Sequence, residues 1–271
     1  MTHLIIGEKS NLSQKLAQNI ENSILISSEK IVKNDHILEP YMDEEVAIIF
    51  NNFQTATKLD DLKSPREYVE YSIYTTAKVL QYAKHLKINK IIYTSSSSVY
   101  GNNILCKETD ELRPTSLHAA LKVANEKLIS QYCLDNKIDY TITRIFNMYG
   151  GNDKFSVISK ILHCYEKDLT FTVANHGSAI RDFINIEDVV SIYKKLLKTT
   201  HIPILNLGTG EGVSIKNIID FLKIHEINLK VDNVTKEEIK MSTADNSLLL
   251  NCLHIDAFIS LETYLLKQIS K

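Results

Sequence analysis

Lys90-Ile91-Ile92-Tyr93-Thr94, the serine run that follows it to Gly101, a long segment from Pro114 to about Asn136, and then Tyr140-Thr141-Ile142-Thr143 set out one structural unit of this chain. The first piece is β-branched and of strand length. The long segment opens on proline, which is favoured at a first helical position, and the last piece is again a short apolar run. The same alternation extends toward the N-terminus. Leu4-Ile5-Ile6, Ile24-Leu25-Ile26 and Val46-Ala47-Ile48-Ile49-Phe50 read as buried strands. Leu12, Leu16 and Ile20 fall at helical spacing, and Tyr68 to Leu86 predicts another helix. Continuous apolar strands alternating with helices predict an α/β chain with a parallel, doubly wound sheet covered on both faces. Ligands of such sheets bind beyond the carboxyl ends of the strands.

After about residue 150 the rhythm loosens. Helices are expected over 156–165, 186–197 and 214–224, a strand at Thr170-Phe171-Thr172-Val173, and another at Leu205-Asn206-Leu207 feeding the turn Gly208-Thr209-Gly210. The 271 residues are 24% charged and 44% hydrophobic, with a net charge of -2. That balance argues against disorder and gives no general attraction to nucleic acid or an anionic membrane. No apolar run approaches the roughly 18 residues that span a bilayer. No secretory leader is read at the N-terminus, and Cys106, Cys133, Cys164 and Cys252 form no Cys-x-x-Cys pair. A soluble, cytoplasmic protein with reduced thiols and no metal site is expected. His163, His176 and His201 have no ligand-like spacing, and Lys194, Lys195 and Lys198 read as a solvated helix face. With only 8 glycines in the chain, those retained are expected where backbone takes positive φ or lies against another group.

The segments around 94–101, 114–126, 144–150 and 181–188 together resemble the extended short-chain dehydrogenase/reductase superfamily, and within it the nucleotide-sugar-modifying epimerase/dehydratase family. The resemblance covers nearly the whole chain. It implies a Rossmann-type sheet with a small C-terminal substrate-binding lobe: residues 1–150 as the dinucleotide-binding domain, and 151–271 mainly as the nucleotide-sugar lobe with interleaved Rossmann elements. In Thr94-Ser95-Ser96-Ser97-Ser98-Val99-Tyr100-Gly101, Ser96 matches the family hydroxyl that bonds the substrate oxygen at the reacting carbon. A hydroxyl both donates to a carbonyl and accepts from an alcohol. Ser97, on the substrate side, and Ser98 stand where dehydratases carry their acidic pair, which disfavours dehydration.

Pro114-Thr115-Ser116-Leu117-His118-Ala119-Ala120-Leu121-Lys122 resembles the stretch holding the family's Tyr-x-x-x-Lys pair, whose members share a helical face. Lys122 matches the lysine that holds the nicotinamide ribose. His118 stands in place of the tyrosine that moves the proton. An ammonium nearby favours neutral imidazole, a poor proton source, so reduction is expected to weaken as pH rises through the histidine's pKa. Loss of proton transfer at 118 stays open as the alternative.

Gly7, Ser10 and Ser13 take the places of the three glycines in the family's pyrophosphate turn, which implies weaker cofactor binding through a helix N-terminus. Ser27 and Lys30 follow the second strand where an acid would bond the adenosine ribose, tilting the expected cofactor from NAD(H) toward NADP(H). In Arg144-Ile145-Phe146-Asn147-Met148-Tyr149-Gly150, Asn147 matches a diphosphate contact. In Arg181-Asp182-Phe183-Ile184-Asn185-Ile186-Glu187-Asp188, Arg181 matches the arginine whose guanidinium fork binds the diphosphate. The resemblance implies an NAD(P)-dependent 4-ketoreductase of a keto-deoxyhexose nucleotide and a homodimer. A 4-epimerase is the alternative within the family, and a non-catalytic nucleotide-sugar binder or partner subunit is the alternative outside it.

Overall fold

The computed structural model describes residues 1–52 and 65–270. Leu4–Ile6, Val46–Phe50 and Ile91–Tyr93 are sealed from solvent, as runs apolar on both faces must be. They lie in the strands Thr2–Ile6, Glu45–Phe50 and Lys87–Ser96. With Ser23–Ile26, Asp139–Ile145 and Ile204–Leu207, these form a six-stranded sheet among the described residues. Its spatial order runs Ile204–Leu207, Asp139–Ile145, Lys87–Ser96, Glu45–Phe50, Thr2–Ile6, Ser23–Ile26. The first strand is parallel to both neighbours, with Leu4 opposite Ile24 on one side and Ile48 on the other. The chain therefore steps outward once and then returns across its first strand. That order puts a topological switch point between the strands Thr2–Ile6 and Glu45–Phe50, where sheets of this kind take ligands. The sheet is of the Rossmann type.

By its packing the chain divides into two units, each assembled from three segments. The first takes 1–99, 114–144 and 190–205, and its core joins Leu4, Ile48, Phe50, Val79, Ile91 and Ile129. The second takes 100–113, 145–189 and 206–271, with Tyr149, Ile161, Phe183, Ile218 and Leu222 in its core. Each such side chain contributes about 1.5–3 kcal/mol by leaving water. In the second unit the strand Ile180–Asn185 pairs antiparallel with Gly212–Ser214, and parallel with Met241–Ala244 and Asn147–Tyr149.

Two helices differ from their sequence expectation. The helix expected at Pro114 begins at Leu117, because Ser116 is extended and its hydroxyl accepts the Ala119 N–H, a cap that proline cannot override. It ends at Asn136, where Lys137 turns left-handed. The segment expected as one helix over 68–86 is helical over Pro65–Ala83, but Glu70–Tyr74 is wound as a π turn. The wider turn frees backbone carbonyls. Asn52, at the end of the third strand, supplies the missing donor: its Nδ2 reaches Ser72 O at 2.8 Å and Tyr71 O at 3.2 Å.

Candidate active site

Within the first unit, the site is built where the helix Leu117–Asn136 lies against the end of the strand Lys87–Ser96. His118, Lys122 and Glu126 recur every four residues and so share one helical face. Lys122 is buried; its Nζ donates to Thr94 O at 2.7 Å and stands 5.2 Å from the Tyr93 ring centroid. Burial pushes its pKa down to about 7, against the pull of Glu126. Glu126 accepts from the Ser95 hydroxyl and from Arg144, whose Nη2 lies 2.8 Å from Oε2. Both members of that ion pair are buried. Lys122 and Glu126 thus hold the helix to the strand end that carries Ser96, and Arg144 ties Glu126 to the strand Asp139–Ile145.

Ser96 Oγ accepts from Ser98 Oγ at 2.9 Å and from Ser98 N at 3.2 Å. With its lone pairs engaged from within the turn, the Ser96 hydroxyl is set to donate its own proton, as a carbonyl oxygen requires. Ser97 is buried at the head of the short turn Ser97–Tyr100.

His118 is half-buried, and its Nδ1 lies 2.9 Å from the Tyr68 hydroxyl. Burial first, and Lys122 second, pull its pKa down to about 3. Lys122, the cause legible in the sequence, is the smaller of the two. The imidazole is therefore neutral across physiological pH, and the decline in reduction expected at the histidine's pKa moves far into acid. A stability effect follows. The unfolded chain binds a proton at His118 from pH 6.5 downward, while the folded chain resists until about pH 3. Stability contributed at neutral pH is thus lost as pH falls through that window. His118→Gln is expected to lose less thermal stability than the wild type between pH 6.5 and 4, measured by circular dichroism melts. Equal losses in the two proteins would contradict the shift.

The proposed cofactor side gathers at the switch point. Gly7 has φ +109°, and a Cβ there would come within 2.2 Å of Asn51 O, so this position takes only glycine. Ser10 precedes the helix Asn11–Asn19 without capping it through its side chain. Its Oγ instead accepts from Asn51 Nδ2 at 2.7 Å, and the same amide reaches the fully buried Ser13 at 3.0 Å. Ser27 caps the helix Ser28–Lys33 through Lys30 N. The Lys30 ammonium stands 4.0 Å from Glu8 in the exposed first turn.

The second unit carries the residues matched to the diphosphate. Asn147 Nδ2 donates to Asp182 O at 3.0 Å. Arg181 is engaged with Ile180 O, Ile239 O and the Glu238 carboxylate. Asp182 is fully buried and accepts from Thr209 N, Thr209 Oγ1, Gly210 N and Ala244 N at 2.8–3.2 Å. That carboxylate organises the Gly208–Gly210 turn. Burial nonetheless raises its pKa.

Among the described residues no cluster of His, Cys, Asp or Glu is arranged to hold a metal, and no helix is long and apolar enough to cross a membrane. All four cysteines are free. The profile of the NAD dependent epimerase/dehydratase family matches residues 10–208. The chain belongs to that family. Among curated relatives it is 30% identical to Protein CapI of Staphylococcus aureus over 174 residues, 62% of this chain and 52% of that protein. The chain thus spans about half of that relative's length. It is 29% identical to a UDP-glucuronate 4-epimerase of Thermodesulfobacterium geofontis over 74% of this chain and 64% of that one. The UDP-glucuronic acid 4-epimerase of Bacillus cereus, solved with UDP-glucuronic acid and NAD, superimposes with a TM-score of 0.85 at 21% identity, covering 100% of this chain and 98% of that one. The family is one of enzymes, and this member shares its fold throughout.

Sequence reasoning did not single out Tyr68, Asn51 or Asn52. Tyr68 lies 50 residues from His118, and nothing local to either position signals the contact.

Proposed function

We propose that this family member transfers hydride between a bound nicotinamide dinucleotide and a carbon of a nucleotide sugar, in net terms as a 4-ketoreductase. The observation that carries the reading is the Ser96 hydroxyl, set by two accepted hydrogen bonds to donate toward a carbonyl, on the strand whose Thr94 carbonyl holds Lys122. The first turn fits a dinucleotide pyrophosphate: Gly7 closes it, a helix N-terminus follows it at Asn11 with no side-chain cap from Ser10, and Ser13 packs with Asn51 where a larger residue would not. The dinucleotide supplies the hydride when bound. This chain's own residues orient the carbonyl at Ser96, present the proton at His118, and hold the ribose near Lys122. Asn147 and Arg181 are assigned to the sugar-nucleotide diphosphate, Arg181 exchanging the Glu238 carboxylate for it.

NAD is the cofactor of the B. cereus neighbour. The preference for NADP(H) expected from Ser27 and Lys30 has no support from that comparison, and Glu8 beside Lys30 works against a 2′-phosphate there. A cytoplasmic homodimer belongs to the same reading. A 4-epimerase is the second reading, favoured by the name of the T. geofontis relative.

The test is equilibrium binding of NADH and NADPH to cofactor-stripped protein by nucleotide fluorescence, followed by turnover of a 4-keto-deoxyhexose nucleotide. Micromolar binding and keto-sugar-dependent oxidation of the reduced cofactor are expected. Tightly retained NAD⁺ in purified protein, with interconversion of 4-epimers, would reverse the two readings. No binding of either dinucleotide at millimolar concentration would remove both and leave a nucleotide-sugar binder.

A further inference from the structure

A neutral imidazole standing where the family carries tyrosine poses a chemical difficulty. It has one N–H to give, and giving it alone leaves imidazolate, a far stronger base than phenolate. The structure places a phenol on the other ring nitrogen. Tyr68 is buried, and its hydroxyl stands 2.9 Å from His118 Nδ1. We propose that Tyr68 is the proton source of this site, acting through His118, whose Nδ1 receives the Tyr68 proton while Nε2–H passes its own to the substrate oxygen.

This rests on the redox reading above and deepens it. The balance is complete. Hydride carries two electrons to the carbonyl carbon, the C=O π bond breaks, and its oxygen becomes an alkoxide. That oxygen forms O–H with the Nε2 proton as Nδ1 takes the proton from Tyr68. The ring ends neutral in the other tautomer, and the tyrosinate left behind recovers a proton from water. Tyr68 is a positioning residue and reservoir, and His118 touches the reacting oxygen.

The surrounding architecture serves this contact. The π turn Glu70–Tyr74 begins directly after the short helical segment Pro65–Val69 that carries Tyr68. Asn52 holds that turn through Tyr71 O and Ser72 O, and the Ser72 hydroxyl donates to Tyr68 O at 2.6 Å. π turns inside helices recur at functional sites because they redirect the side chains around them. Burial raises the phenol of Tyr68 to about 12 and lowers His118 to about 3, so the pair keeps one phenolic proton and one ring proton throughout neutral pH. Titratable groups bearing on the pair include Lys122, one turn along the helix from His118, and Tyr93, which interacts with Tyr68.

Two measurements test the proposal. Ring ¹⁵N NMR of histidine-labelled, ligand-free protein reads the His118 tautomer, with His118→Gln used for assignment. Nε2–H in the wild type, with Nδ1 losing its hydrogen-bonded shift in Tyr68→Phe, is expected. Nδ1–H in the wild type would make Tyr68 the acceptor and overturn the relay. In turnover, Tyr68→Phe is expected to lower kcat by about 10²–10⁴-fold with KM and dinucleotide affinity little changed. Tyr68→Phe/His118→Tyr should regain much of the rate, because a phenol then donates directly. A Tyr68→Phe enzyme as fast as wild type would overturn the proposal. An inactive wild type would instead sink the redox reading, and the tautomer, read without substrate, would still judge the Tyr68 contact by itself.

Discussion

Glu126→Ala is expected to lose about 3–5 kcal/mol of stability, enough to leave little folded protein at physiological temperature. Glu126 and Arg144 are each only 3% exposed, and they meet through Nε at 3.2 Å and Nη2 at 2.8 Å, with the Ser95 hydroxyl on the same carboxylate. Two charges removed from water are stable only while each answers the other. Truncating Glu126 takes from the buried guanidinium its carboxylate partner and from the buried Ser95 hydroxyl its acceptor, and that desolvation governs the loss. The pair itself adds little net stability. Glu126→Met/Arg144→Met, which removes both charges and keeps the volume, is therefore expected to lie within about 1 kcal/mol of wild type. Guanidinium titrations of the wild type and the two variants check this. A double variant as unstable as the single one would mean that volume or Ser95, rather than the uncompensated charge, sets the loss.

Lys122→Met is expected to move stability and activity in opposite directions. The ammonium lies in a buried place that lowers its pKa from 10.5 to about 7, which is an energetic cost held in the folded state. Methionine keeps most of the stem volume and carries no charge. A gain on the order of 1 kcal/mol is expected after the lost bond to Thr94 O is deducted, or about 3 °C in Tm. The gain should be greatest at and below pH 7. It should fade as pH rises toward 10.5, because there the unfolded wild type releases the same proton and the folded protein no longer carries the penalty. Turnover, where the lysine is assigned to the ribose, is expected to drop by about 10²–10⁴-fold. Calorimetry at pH 6.5 and 9.5, with turnover at each, reads both effects. A variant less stable than wild type at pH 6.5 would show that the bond to Thr94 outweighs the buried charge.

The opposing signs at Lys122 and the single-versus-double contrast at Glu126 share one origin. The helix Leu117–Asn136 carries titratable groups at every fourth residue on a face that the strand end covers. A helix that served only stability would place apolar side chains there. Charged groups tolerated at such cost are a mark of a functional face.

Much of this was legible in the letters. Apolar runs such as Val46–Phe50 and Lys90–Thr94 are continuous rather than alternating, and only a sheet covered on both faces can bury them, so the parallel α/β architecture follows from pattern alone. The spacing of His118 and Lys122 likewise put those two on one helical face from the letters, because the helical period brings residues four apart together; Glu126 was not singled out. That His118 stands where the family resemblance implies a tyrosine was likewise a reading of the letters.

Other features required the folded chain. Ser116, two residues past the proline, sets where the helix Leu117–Asn136 begins, since a hydroxyl bonded to a free N–H decides a helix start more strongly than a favoured φ. Desolvation, more than the neighbouring lysine, lowers the His118 pKa, and the depth of burial is a property of packing that no local window contains. The π turn at Glu70–Tyr74 depends on Asn52, 18 residues before it, and the phenol on His118 comes from Tyr68, 50 residues away. Which elements form and which residues share a face follow from the local pattern of the chain, because periodicity and capping act over a few residues. Which phenol stands against His118, and what burial does to the charges, came only with folding, because both arise from contacts between segments far apart in the chain.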